Sequence, residues 1–280
     1  MPEMPEVETI RKSLMDNVVN KKIESVSVFL DRLIKYPDAE QFVNVITGQT
    51  ILQLNRTGKY LRFLLSDGTE LIIHLRMTGQ LLYSDSELDV KYARLIMFFD
   101  DGSKLVYADL RTLGALYAVK KDELKLIKGL DNMGPEPLSD EFTLDYLKSI
   151  AGKKRVKMKS FLLNQAYIGG LGNIYADEAL FLAGIHPERL ANSLKTEEIE
   201  KLYSAINKVI SEGIRDGGTT FSDYRDGNGE KGSHQENLFV YQRTDAPCKT
   251  CGTAIERLVI GGRSSHFCPK CQPAGKGKKK

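Results

Sequence analysis

Apolar and polar positions change rhythm twice along the chain. Residues 5–16 read as a helix, with Pro5 suited to the first turn and Glu6 and Glu8 at the positive end of the helix dipole. From position 22 to about 120 the pattern is β: KIESVSVF, YLRFLL, ELIIHLRM, RLIMFF and KLVYAD alternate or are rich in strand formers. Asp67-Gly68 and Asp101-Gly102 fall between such runs and predict tight hairpin turns. Hairpins in series point to an antiparallel sandwich or barrel-like sheet. The Pro-Gly-rich stretch MGPEPLS, 133–139, predicts a linker. Beyond it the pattern is helical over 143–150, 155–166, 173–183 and 195–214, interrupted by the glycine-rich IGGLG at 168–172. Residues 216–236 are polar, glycine-rich and without period, and loops of that length are usually functional or mobile. TAIERLVIGGRSSHF, 253–267, reads as strand, Gly261-Gly262 turn, strand.

The 280 residues suit about two domains. With 41% hydrophobic and 28% charged residues, the composition is globular and argues against global disorder, collagen and coiled coil. The longest apolar runs, such as Leu95–Phe99, fall far short of the roughly 20 residues of a spanning helix, so no membrane partner is expected. The N-terminus carries acids and no long apolar stretch, so it is not a secretory signal. A soluble cytoplasmic protein is the expectation. The net charge of +3 is carried by the tail 275–280, which holds four lysines and no acid. The body is near neutral, and its basic character is local: Lys153, Lys154, Arg155, Lys157 and Lys159 occur without an acid over 151–176. Such clustering suits a polyanionic partner, or else a solvated helix face.

Cys248, Cys251, Cys268 and Cys271 form Cys-x2-Cys, sixteen residues, Cys-x2-Cys, the spacing of a four-thiolate zinc site. Four thiolates leave no open position, so the metal is structural. Two disulfides are the rival reading, although nothing suggests an oxidising compartment. His266 is taken as a surface residue, since the thiolates already fill the shell.

Two stretches carry candidate chemistry. Pro2 follows Met1, and a small second residue permits removal of the initiator methionine, leaving a secondary amine. An α-amino group titrates near pH 8, so part of it is free base and can attack carbon to form an iminium. Glu3 and Glu6, within one turn, would act as general acid and base or position water; plain helix capping is the alternative. In the helix–glycine turn–helix at 155–183, Asn173 stands at the start of the second helix, where free N–H groups and the dipole favour a phosphate. A simple helix–helix turn is the alternative there. GGLG follows a helix rather than a strand, so it is not a dinucleotide fingerprint.

Together these segments resemble the formamidopyrimidine-DNA glycosylases, bacterial base-excision enzymes of the helix–two-turn–helix class. The resemblance rests on PEMPEVET (2–9), TGKYL (57–61), HLRMTG (74–79), GPEPL (134–138), GGLGNIYADEALFLAGIHP (169–187), VYQR (240–243) and GGRSSHFCPKCQ (261–272), and it covers the whole chain. It implies an α+β multidomain fold. An N-terminal antiparallel β-sandwich with a leading helix (1–132) and a linker (133–140) would precede a helix–two-turn–helix domain with a lesion-capping loop (141–243). A zinc β-hairpin finger (244–274) and the tail (275–280) would follow. It also implies a monomeric glycosylase and abasic-site lyase that flips oxidised purines out of double-stranded DNA. Pro2 would be the nucleophile, Glu3 would protonate the sugar ring and shuttle protons, and Glu6 would organise the site. Lys59 joins this catalytic set and, with Asn173 and Arg263, matches the family's phosphate-binding positions. Tyr241 and Arg94 are assigned to DNA by the same likeness. Met77, Arg111 and Leu113 match the side chains that fill the gap left by the flipped base. No diffusible cofactor is implied beyond one structural zinc ion.

The chain departs from the family where the lesion and its opposite base are read. The usual aspartate–proline–arginine–arginine–phenylalanine–glycine run is Asp109, Leu110, Arg111, Thr112, Leu113, Gly114, so leucine stands for the wedge phenylalanine. The Lys-His-x-His run is Lys91, Tyr92, Ala93, Arg94, and the often acidic residue after Met77 is Thr78. Two further readings therefore stand beside the leading one: a non-catalytic binder of kinked or abasic DNA, and an abasic-site lyase with altered lesion preference.

Overall fold

The computed structural model describes residues 1–87 and 90–274. The lysine tail lies outside the described residues. Two compact units emerge, one of residues 1–131 with 213–235, the other of 132–212 with 236 onward.

The first unit opens with α1 (Met4–Val18), followed by β1 (Ile23–Val28), β2 (Ile34–Tyr36), α2 (Ala39–Ile46), β3 (Ile51–Thr57), β4 (Tyr60–Leu65), β5 (Glu70–His74), β6 (Gly79–Ser84), β7 (Ala93–Phe99), β8 (Lys104–Asp109), β9 (Ala115–Val119) and the short α3 (Lys128–Asp131). The strands form a four-stranded sheet, β1-β7-β8-β6, and a five-stranded sheet, β2-β9-β5-β4-β3. Both expected Asp-Gly turns are present, with Gly68 and Gly102 at positive φ. The sheets share one core, in which Val7, Ile10 and Leu14 of α1 pack with Phe63, Ile73, Met97 and Leu105. The second sheet is mixed rather than wholly antiparallel, because β2 pairs with β9 in parallel. Helix α2 lies inside the region that reads as β. Asp38 caps it by accepting from the Gln41 N–H at 2.9 Å, and it buries Phe42 and Ile46.

The polar segment 213–235 folds with this first unit rather than with the helical one. The Gly227 N–H donates to Ser13 Oγ (2.8 Å), the Tyr83 N–H donates to Gly227 O (2.9 Å), and Tyr224 enters the core. Backbone amides rather than a hydrophobic period hold it, so its place could not be read from apolar spacing.

The second unit contains α4 (Leu144–Gly152), α5 (Met158–Leu163), α6 (Asn173–Ala183), most of α7 (Thr196–Arg215), and the hairpin β10 (Glu256–Ile260) and β11 (Arg263–Phe267). Helix α5 is shorter than its expected span because Lys157 is already extended. Residues 133–139 are anchored rather than free-running: the Gly134 N–H donates to Gln165 O at 2.9 Å and the Gly169 N–H to Pro135 O at 3.0 Å. A Cβ on Gly169 would lie 2.7 Å from Gly134 O, so this close approach requires glycine there. Helix α6 ends at Gly184 in the left-handed region. Gly261 and Gly262, both at positive φ, close the hairpin opposite the Ile260–Arg263 pair. Among the described residues no helix is long and apolar enough to cross a membrane.

Candidate active site

Pro2 is buried at the foot of α1, beside Glu3 (2% exposed) and Glu6 (1%). The Glu6 carboxylate is shared. Its Oε2 accepts from the Glu3 N–H at 2.8 Å, capping the helix. Its Oε1 accepts from the Thr219 N–H at 2.7 Å. The Tyr224 hydroxyl lies 3.3 Å from Glu6 O and 3.1 Å from Gly217 O. One buried carboxylate thus spans the chain's first turn and the polar 213–235 segment.

Two residues on, Glu8 binds Arg11 (2.7 Å) and Arg56 of β3 (3.0 Å). Burial pushes its carboxyl up, but the two guanidinium groups outweigh this and hold it below the usual range. This bridge ties α1 to the β3–β4 hairpin, whose turn carries Lys59, 8% exposed. His74 was not among the sequence's candidates, although it lies in the quoted HLRMTG string. It is 6% exposed and packs edge-on against Tyr60, with ring centroids 4.5 Å apart. Burial, with Arg76 and Lys59 in electrostatic reach, pushes its pKa down to about 3. Its Nδ1 accepts from the Arg76 N–H (3.0 Å), so the neutral ring carries its proton on Nε2. A buried, uncharged donor beside a buried lysine suits an anion.

Met77 is half-buried in the turn between β5 and β6, while Arg111 and Leu113 are exposed between β8 and β9. Register brings the two loops together, since Gly79 pairs with Asp109. Arg94 Nε donates to Asp109 O at 3.1 Å, so its guanidinium braces this corner.

In the second unit, Asn173 begins α6 and its Nδ2 donates to Ser264 O of β11 (3.1 Å), joining the helix to the hairpin that carries exposed Arg263. Beneath it lies an ion pair with no exposure on either side: Lys159 Nζ to Asp177 Oδ1, 2.5 Å. Lys159 also donates to Asn173 O (2.9 Å), and Asp177 accepts from Ser265 Oγ (2.9 Å) and the His266 N–H (2.9 Å). His266 is therefore buried, with its Nδ1 3.1 Å from Asp177 Oδ2 and its ring edge-on to Tyr241 at 5.1 Å. The surface expectation for His266 fails because the hairpin packs on α6. Neighbouring Glu178 accepts the N–H groups of Phe239 (2.8 Å), Val240 (2.9 Å) and Tyr241 (2.8 Å), fixing the VYQR segment. Burial nevertheless raises its carboxyl above the usual range.

The four cysteines are free, which removes the disulfide reading. Four thiolates about 2.3 Å from a tetrahedral zinc ion stand about 3.8 Å apart. Here Cys248 and Cys271 sulfurs are 3.9 Å apart, Cys251 and Cys268 3.5 Å, and all four lie within 4.8 Å of one another. Hydrogen bonds from Thr253 hold the Cys251 thiol down to about 6, whereas burial and the neighbouring sulfurs push Cys271 up. A cation at the centre reconciles the crowded thiolates, and the cluster is a structural zinc site.

Comparison with known proteins gives a consistent result. Family models described as the formamidopyrimidine-DNA glycosylase N-terminal domain, its H2TH domain, and the zinc finger found in FPG and IleRS match residues 1–116, 133–225 and 246–274. The chain is 46% identical to a formamidopyrimidine-DNA glycosylase of Desulforamulus reducens over 98% of its own length and 100% of the relative's. A Bacillus licheniformis protein of the same name is 45% identical over 97% and 99%. Among solved structures, the Lactococcus lactis Fpg in complex with DNA containing an abasic site superposes with a TM-score of 0.91. It is 36% identical, covering 97% of this chain and all of that one. The Thermus thermophilus protein gives 0.89 at 37% identity, covering 97% and 98%.

Proposed function

The chain belongs to the formamidopyrimidine-DNA glycosylase family, and from this premise we propose that it excises oxidised purines from duplex DNA and cuts the strand at the resulting abasic site. The carrying observation is the buried N-terminal turn, where Pro2 stands beside Glu3 and a Glu6 carboxylate held by two N–H groups.

Removal of Met1 frees the Pro2 nitrogen as a secondary amine; with Met1 attached it is an amide and no nucleophile. The amine's lone pair attacks C1′ of the damaged nucleotide while the base departs. Glu3 protonates the ring oxygen, the sugar opens, and an iminium forms on Pro2. The iminium draws electrons from C2′ once a proton leaves there, expelling the 3′ phosphate. A second elimination expels the 5′ phosphate, and hydrolysis returns the amine. Lys59, His74, Asn173, Tyr241, Arg263 and Arg94 hold the DNA backbone, with Lys59 also set beside the reacting sugar. Met77, Arg111 and Leu113 occupy the space of the extruded base. Zinc, held by Cys248, Cys251, Cys268 and Cys271, keeps the hairpin of Arg263 folded and takes no part in a bond-making step. The protein works as a monomer on damaged double-stranded DNA in the cytoplasm.

Borohydride trapping tests the proposal, on an 8-oxoguanine·cytosine duplex and an abasic duplex, with protein confirmed by mass to begin at Pro2. Adducts on both, mapping to Pro2, are expected. An adduct on the abasic duplex alone would favour the altered-lesion lyase, to which Leu113 and Thr78 point. No adduct on either would leave a DNA-binding protein.

A further inference from the structure

Thr78 stands between two loops, and its hydroxyl is committed to one of them. It is 8% exposed. Its Oγ1 donates to Asp109 Oδ1 at 2.6 Å and accepts from the Arg111 N–H at 3.0 Å. The other carboxylate oxygen of Asp109 accepts from the Gly114 N–H (2.9 Å) and from the Tyr107 hydroxyl (3.3 Å). Asp109 and Tyr107 are 1% and 0% exposed. The run 109–114 is thereby cinched at both ends by one buried carboxylate. Gly114 permits this, since a Cβ there would fall 1.7 Å from the Tyr107 oxygen. Thr112, midway, takes positive φ, and its hydroxyl is bonded by Arg32. Leu110, Arg111 and Leu113 are the exposed residues of this fixed loop.

Thr78 is also the residue directly after Met77, in a turn where Arg76 has positive φ. One hydroxyl therefore links the turn carrying Met77 to the loop carrying Arg111. A hydroxyl spent on Asp109 and a backbone amide is poorly placed to read a lesion.

We propose that Thr78 is a positioning residue: through Asp109 and the Arg111 amide it sets the spacing of Met77 from the Arg111–Leu113 loop, and so sets discrimination of the base opposite the lesion. This rests on the proposed glycosylase reading, in which Arg111 enters the gap left by the extruded base and so lies against the base opposite. The physical reason is rigidity. A guanidinium distinguishes hydrogen-bonding edges only if its backbone is fixed, and losing a hydrogen bond to a charged group costs enough to let the loop leave its single shape.

The test compares Thr78→Val, Thr78→Cys and Thr78→Ser with the parent, all beginning at Pro2. It measures kcat/KM for 8-oxoguanine opposite cytosine and opposite adenine, and strand cleavage at an abasic site. Valine keeps the shape and removes both hydrogen bonds. It should cut the cytosine-over-adenine ratio by about tenfold, as loss of one charge-assisted bond predicts, while abasic cleavage stays within about twofold. Serine should restore the ratio, with cysteine between. In an Arg111→Ala background, Thr78→Val should change the ratio no further, because it acts through Arg111. An unchanged ratio in all three variants, or a parent without opposite-base preference, overturns the inference. So does an equal loss of glycosylase and abasic cleavage in serine and cysteine variants that fold. A parent that traps on neither duplex instead overturns the glycosylase reading on which the inference stands.

Discussion

The Lys159–Asp177 pair offers a direct measure of what holds α6 to the zinc hairpin. Both side chains are without exposure, so solvent screening does not weaken their interaction. Replacing Lys159 by Met keeps the volume and strands the Asp177 charge. Breaking a buried pair in this way costs about 3–5 kcal/mol. Asp177 retains Ser265 Oγ, the His266 N–H and His266 Nδ1, which places the expected loss near 3 kcal/mol, at the foot of that range. With a urea slope of about 2 kcal/mol per molar, the transition of the second unit should move down by about 1.5 M. Because the chain has two units, fluorescence alone would blur the result; amide exchange of residues 263–267 isolates it. The double change Lys159→Met with Asp177→Leu removes both charges and should be less destabilised than Lys159→Met alone. The reasoning is refuted if the single change costs under about 1 kcal/mol, or if the double is additive.

Two other outcomes follow from groups on either side of the fold. His74 is a base kept neutral by burial, so the folded state binds fewer protons than the unfolded one and stability falls as pH drops from about 6.5 toward 3. Between pH 7 and 5 the parent should lose about 2 kcal/mol more of unfolding free energy than His74→Asn, and equal slopes would contradict it. Chelation should release one zinc ion per chain and expose the amides of β10 and β11, since the small apolar cluster around the site, with Phe181, Val240 and Ile255, is built on the cysteines themselves. Protection of those amides after metal loss, read by exchange, would show that packing alone holds the finger.

The sequence disclosed those features that depend on neighbours in the chain. Asp-Gly turns, the Gly261-Gly262 hairpin and the paired Cys-x2-Cys turns each carry their geometry in two to four residues, and each is present. What stayed hidden depends on partners far away. Lys159 reads as one of five clustered cations, for a polyanionic partner or on a solvated face, yet its partner, Asp177, lies eighteen residues on and is fully buried. His266 falls in a strand whose last three residues are all buried, so alternation could not tell its faces apart. Helix α2 spans eight residues and its apolar positions suit a strand as well as a helix. The 213–235 segment shows no hydrophobic period, because backbone amides on the Glu6 and Ser13 side chains, with the Tyr224 hydroxyl on Glu6 O, help to hold it.

Glu6 shows how the capping of the N-terminal helix leaves room for the proposed chemistry. A helix start presents unpaired N–H groups, and a carboxylate three residues in can accept one of them. That carboxylate has a second oxygen, which here takes the Thr219 N–H from the polar segment. Burial to 1% makes both bonds costly to break, so the two oxygens fix the segment against the first turn of the chain. A terminal amine at Pro2 would then find its neighbouring carboxylates already oriented, at no further ordering cost on binding. The same groups that let α1 begin at residue 4 thus fix the first turn on which the proposed amine chemistry would draw. A capping side chain with one oxygen, such as Ser, could satisfy the helix start but would not present the second carboxylate oxygen that takes the Thr219 N–H.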